Sequence, residues 1–120
     1  MGIVDSGLSG LALLLSGSVV NRPAYCALGS GSVAFSPSTV LLDNEYQRNA
    51  FASTDSSIQK NVTYTTDFAA IDLSGTSISE IGIFSSGASL SGTLWNYEGF
   101  VGINFDGTNE LQVQITFQIY

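Results

Sequence analysis

Gly29-Ser30-Gly31-Ser32-Val33-Ala34 has spacing that suggests chemistry, because it fits the dinucleotide-binding pattern G-x-G-x-x-G/A. That pattern works only when a helix begins at its second glycine, so that the helix N-terminus faces a pyrophosphate. Phe35-Ser36-Pro37-Ser38 follows at once, and a proline there interrupts the second turn of such a helix. A glycine- and serine-rich connection between strands is the better reading. Nucleophilic serine chemistry lacks its usual base, since the chain contains no His and no G-x-S-x-G elbow. Paired carboxylates could hydrolyse a glycoside, but Glu45, Glu80 and Glu98 lie far apart in sequence with no sign of a shared cleft. Asp106-Gly107-Thr108-Asn109-Glu110 offers several oxygens but is not a calcium loop, and a turn explains it equally well. Asn61-Val62-Thr63 is a glycosylation sequon at the start of a strand, a pattern common by chance. No catalytic, cofactor-binding or metal-ligating set is therefore expected.

Charge isolates a different group. The chain has 120 residues, with Lys plus Arg 3, Asp plus Glu 10, and a net charge of -7. Three cations cannot neutralise a phosphate backbone or an anionic bilayer, so neither nucleic acid nor membrane is expected as a partner. Arg48, in Asn44-Glu45-Tyr46-Gln47-Arg48-Asn49, should accordingly have a defined anionic partner. Glu45 and Glu80 are the candidates for a structural ion pair, which would fix register more than add stability. The single Cys excludes an intramolecular disulfide, and Cys26 reads as a buried, inert thiol.

Only 11% of residues are charged, against roughly 25% in an average domain. Polarity comes instead from 18 Ser, 9 Thr and 13 Gly. Such a neutral exterior suggests a surface covered by other protein.

The elements that must position these residues are mostly strands. Leu8 to Val20 has the look of a signal peptide, but the preceding residues include Asp5 and no cation, and the longest apolar run there, Leu11 to Leu15, is too short for a membrane span. A short helix capped by Asp5 or Ser6 and ending near Gly17 is expected, with its leucines packed on the domain. Beyond it the period is two. Leu111, Val113, Ile115, Phe117 and Ile119 alternate with Gln112, Gln114, Thr116, Gln118 and Tyr120, a strand of about 33 Å. The turn at 106–109 predicts a hairpin between Val101 to Phe105 and this strand. Val62 to Phe68 also alternates, and Ile78 to Ser85 is apolar on both faces in its second half. Ala24 to Leu28, Tyr46 to Ser53 and Thr93 to Tyr97 are shorter candidates. The expectation is one domain over 1–120, with a helical segment in 1–20 and strands in 21–120. These form an antiparallel β-sandwich or flattened barrel of about seven strands.

The order of these segments resembles a family of small β-sandwich domains carried by many tailed bacteriophages and some archaeal viruses. The resemblance rests on Ala24-Tyr25-Cys26-Ala27-Leu28-Gly29-Ser30-Gly31, Leu42-Asp43-Asn44-Glu45-Tyr46-Gln47-Arg48, Val62-Thr63-Tyr64-Thr65-Thr66-Asp67-Phe68 and Ile78-Ser79-Glu80-Ile81-Gly82-Ile83-Phe84, in that order over nearly the whole chain. It implies a virion structural protein and not an enzyme, associated with tail, baseplate or fibre attachment. It also implies homo-oligomerisation, other virion proteins as partners, assembly in the host cytoplasm and no cofactor. The domain is expected to stand alone, without a fibre shaft downstream, so a decoration protein of capsid or neck is the alternative location. From another class, Trp95, Tyr97 and Phe100 beside Glu98 could form a stacking platform for a glycan. The competing reading places those aromatics in the core or at an interface, which they dominate in most proteins.

Overall fold

Alternation of apolar and polar residues is the strongest local instruction in this chain, and it decides which strands pair. The computed structural model describes residues 2–18, 21–32 and 34–119. In chain order the elements are β1 (Gly2–Ile3), α1 (Asp5–Leu15), β2 (Tyr25–Gly29), β3 (Glu45–Ala50), β4 (Ser53–Asp55), β5 (Asn61–Phe68), α2 (Ala70–Leu73), β6 (Thr76–Phe84), β7 (Leu94–Phe105) and β8 (Leu111–Gln118). They build two antiparallel sheets, one of order β1-β7-β6-β2-β3 and one of order β4-β5-β8. The expected mainly-β sandwich with a short N-terminal helix is the observed architecture.

Between the sheets lies the main core. Cys26, Leu28, Ile78, Ile83 and Trp95 enter it from the larger sheet, and Phe68, Val113 and Ile115 from the smaller. A second cluster, Val4, Ala27, Leu42, Phe84, Leu94 and Tyr97, covers the outer face of the larger sheet. That sheet is thus buried on both sides, which explains why β6 is apolar on both faces from Ile81 to Phe84.

Three expectations are corrected. Val101 to Phe105 and the last strand do not form a hairpin: β7 pairs with β6, while β8 pairs with β5 in the other sheet. The inward residues decide the matter. Val62, Tyr64, Thr66 and Phe68 stand opposite Phe117, Ile115, Val113 and Leu111, giving four matched pairs on one face. The 106–110 turn is therefore an arch between sheets, closed by Asp106, whose carboxylate accepts the Thr108 amide at 3.0 Å. Second, Tyr46 to Ser53 is not one strand; the chain leaves the larger sheet after Ala50 and enters the smaller one at Ser53.

The third correction concerns α1. Its N-cap is Val4, with no side-chain cap. The Asp5 amide instead donates to Pro37 O at 2.8 Å, and the Ser6 hydroxyl to Leu94 O at 2.6 Å. Gly17, at φ +83, does end the helix as expected, with the Ser18 amide bonded to Leu13 O and the Gly17 amide to Leu14 O. Of the leucines, only Leu11 packs against the core, half-buried. Gly7 and Gly10 are its buried residues. A Cβ at Gly7 would strike the Trp95 carbonyl oxygen, and one at Gly10 would lie 2.8 Å from the indole ring. Only bare glycines allow this close approach, and it turns Leu8, Leu13, Leu14 and Leu15 outward, 44–80% exposed. Among the described residues no helix is long and apolar enough to cross a membrane.

Candidate functional site

The outer face of the larger sheet carries the unusual charges. Gly29, the last residue of β2, pairs with Glu45 of β3 on one side and Glu80 of β6 on the other. Having no side chain, it leaves the space that the Glu80 carboxylate fills; a Cβ there would lie 2.5 Å from Oε2.

Glu80 is fully buried and accepts four hydrogen bonds. Oε2 takes the backbone N–H of Gly31 and of Asn44, each at 2.8 Å. Oε1 takes the Asp43 amide at 2.9 Å and the Tyr97 hydroxyl at 3.0 Å. This arrangement uses the acceptor capacity of a carboxylate that has no cation beside it among the described residues. Its effect is to close the 30–44 loop at its base. The Ser30 amide donates to Asn44 O at 3.0 Å and the Asn44 side-chain amide to Ser30 Oγ at 2.6 Å, completing the closure. Burial pushes the Tyr97 hydroxyl up to about 12, helped by the hydrogen bond and negative charge of Glu80 and by the charge of Asp43.

Arg48 works on the neighbouring loop. Its Nε and Nη2 meet Oε2 and Oε1 of Glu45 at 2.7 and 2.9 Å, a two-pronged contact whose side chains are each only 2% exposed. Nη1 donates to Ser86 O at 2.8 Å and Ser91 O at 2.7 Å, so one guanidinium holds both ends of the 86–91 turn. The guanidinium carbon also stands 3.7 Å from the centre of the Phe84 ring. Glu80, the other expected partner of Arg48, makes no ion pair among the described residues; its partners are backbone amides and a phenol.

The two closed loops share the outer face and hold apolar side chains outward. Val40 and Leu41 on one, and Leu90 on the other, are 61%, 39% and 62% exposed. Loops fixed on a rigid sheet are the usual carriers of contact residues.

The aromatic trio does not form a platform. Trp95 points into the inter-sheet core and Tyr97 to the opposite face, both buried, while Phe100 is half-buried against the core. An inserted residue in β7, where Phe84 faces Leu94 but Ile83 faces Asn96, separates the directions of Trp95 and Tyr97. The Trp95 indole N–H donates to Asn21 O at 2.9 Å.

Other chemical candidates are equally occupied or dispersed. Burial pushes the Cys26 thiol up to about 12 against a hydrogen bond from Thr66 that lowers it, so it is a poor nucleophile in the fold. Gly29-Ser30-Gly31 leads into the closed loop and not into a helix. Ser57-Ile58-Gln59-Lys60 has the Ser-x-x-Lys spacing of some acyl-transfer enzymes. Both residues sit exposed between β4 and β5, not on a helix that would turn the amine onto the hydroxyl. Among the described residues no three His, Cys, Asp or Glu side chains gather as a metal site. An apolar groove of about 400 Å³ lies between α1 and the smaller sheet, walled by Leu11, Leu14, Tyr64, Trp95 and Phe117, with Arg22 among its lining.

What sequence reasoning missed is the role of backbone. Nothing in residue type marks the amides of Gly31, Asp43 and Asn44 as the partners of Glu80. The available signal was a lone Glu in an otherwise uncharged strand, level with a glycine on the strand beside it. No protein-family model, curated protein or solved structure matches this chain.

Proposed function

We propose that this chain is a non-enzymatic structural component of a virion, built to be covered by neighbouring protein. The observation that carries the reading is the character of its exterior. Fifteen large apolar side chains are at least 38% exposed among the described residues, which exceeds the 13 charged residues of the whole chain. A free monomer normally relies on a well-charged exterior, and an exterior so poor in charge fits a surface covered by protein.

Three further features support the reading. The charges that do enter the fold, Glu45, Arg48 and Glu80, are spent on closing loops and are not presented to a ligand. The helix is mounted by glycines so that Leu8, Leu13, Leu14 and Leu15 face outward. The segment order resembles the tailed-phage β-sandwich domains described above, which favours a tail, baseplate or fibre-attachment position over decoration of the capsid or neck. The glycan-binding alternative loses its aromatic surface, because Trp95 and Tyr97 are buried on opposite faces.

Quantitative mass spectrometry of purified particles tests the proposal. The chain should be present at a fixed copy number, in a simple ratio to a symmetric component of the particle. Its absence from particles while abundant in the lysate would refute the role.

A further inference from the structure

The apolar groove between α1 and the smaller sheet has a volume of about 400 Å³, a size typical of small-molecule sites. Its two walls come from different layers. The helix contributes Leu11 and Leu14. From the sheet, Val62 and Phe117 stand opposite each other across β5 and β8, and Tyr64 shares their face two residues on. The Tyr64 and Phe117 rings meet edge to face with centroids 5.6 Å apart, so this wall is continuous.

Among the described residues one charged side chain lines the groove, Arg22. The chain has three cations against ten acids. Arg48 is held by Glu45, yet Arg22 makes no ion pair among the described residues in spite of that excess. Its charge is felt inside the groove. The Tyr64 hydroxyl is pushed up by burial, and Arg22 draws it back down.

We infer that the groove binds an unbranched aliphatic carboxylate, a free fatty acid, with the alkyl chain along the apolar walls and the head on the Arg22 guanidinium. The walls select against a peptide. They are the side of a helix and the face of a sheet, whose backbone groups bond within the helix and along the β5-β8 ladder. An extended segment laid there would find no partners for its own amides, and each buried without one is costly. A helical segment satisfies its amides internally, but a single turn, about 10 Å across and 5 Å long, would already fill the space. An alkyl chain is narrow and has no polar group to satisfy.

Charge selects the head. One guanidinium matches the single negative charge and the two oxygens of a carboxylate. A phosphate monoester carries nearly two charges and would meet one cation in a chain of net charge -7. A cationic amphiphile would face Arg22 itself.

Titration of the full chain with decanoate tests the site, followed by calorimetry and by the emission of Trp95, the single tryptophan and a wall of the groove. The uncharged and cationic probes are 1-decanol and decyltrimethylammonium. Wild type should bind decanoate saturably at one per chain, with a change in Trp95 emission, and bind the cationic probe at least tenfold more weakly. Arg22→Gln should weaken decanoate about tenfold, the loss of one charge-assisted contact, and leave 1-decanol unchanged. Leu14→Glu should weaken both. Arg22 and Leu14 are exposed, so circular dichroism should show both variants folded as wild type. No saturable binding by wild type, or equal affinity of wild type and Arg22→Gln for decanoate, would overturn the inference. Binding is read on the purified chain, so neither result bears on its presence in particles.

Discussion

Oε2 of Glu80 lies 2.8 Å from the backbone nitrogen of Gly31, 49 residues earlier in the chain. With the Asn44 and Asp43 amides on the same carboxylate, one side chain fixes both ends of a long loop to the middle of a sheet. Arg48 does the same for the 86–91 turn through two carbonyls. A chain with few charges has placed three of them where they shape the surface without being displayed on it.

Removing the Glu80 carboxylate should therefore loosen the loop and the fold together. Glu80→Ala takes the carboxylate away from three amides and from the Tyr97 hydroxyl in a buried site, a cost of about 3 kcal/mol or more. The melting temperature should fall by roughly 10 °C. Glu80→Gln should be intermediate at best, since its amide nitrogen would face N–H donors. A melt within 2–3 °C of wild type for Glu80→Ala, roughly what half a kcal/mol produces, would contradict the assigned role.

Arg48→Lys separates charge from geometry. Lysine keeps the cation but cannot grip Glu45 with two prongs while also reaching two carbonyls. The expected loss is about 1–2 kcal/mol, with faster amide exchange confined to 85–93. Exchange unchanged in that segment would show that Arg48 does not hold it.

Gly7→Ala tests the mounting of α1. Alanine in place of glycine gains about 1 kcal/mol of helix propensity, so a helix that merely rested on the sheet would be stabilised. The clash with the Trp95 backbone should outweigh that gain and lift the helix. Trp95 is the single tryptophan, so its fluorescence should shift to the red as it meets water. A stabilised protein with unshifted emission would be the opposing result.

Alkaline pH should unfold the protein in a defined window. The Tyr97 hydroxyl and Cys26 thiol are each pushed up to about 12, from ordinary values of 10.0 and 9.0, chiefly by burial. Between the ordinary and the raised values the unfolded chain has released these protons and the folded chain keeps them. The unfolded state then binds fewer protons, so stability falls as pH rises. The contribution is fully present below about pH 9 and is lost as pH climbs through about 12. Denaturant midpoints across this range should decline, and Tyr97→Phe should decline less steeply above pH 10. Equal slopes would remove Tyr97 from the explanation.

The two long strands of the smaller sheet were legible because they alternate cleanly, Val62 to Phe68 and Leu111 to Phe117. Their pairing with each other was not, since the turn at 106–109 pointed to a hairpin with 101–105. The ion pair was legible in part, because Arg48 is one of only three cations and Glu45 stands three residues before it, whereas Glu80, the other expected partner, binds amides instead. The arch at 106–110 was not, since a turn sequence says that the chain reverses but not whether it stays in the same sheet. The outward leucines of α1 escaped for a similar reason. Burial of Gly7 and Gly10 depends on how near Trp95 stands, a distance that helical periodicity does not encode. The hydrogen bonds of Glu80 escaped because their donors are main-chain amides, alike at every residue.

A reconstruction of purified particles at a resolution that traces strands tests the central claim most directly. The account predicts density for the five- and three-stranded sandwich in symmetry-related copies, with the leucines of α1 and the Val40–Leu41 and Leu90 loops covered by neighbouring chains. Particles without such density, or with these apolar surfaces facing solvent, would contradict it.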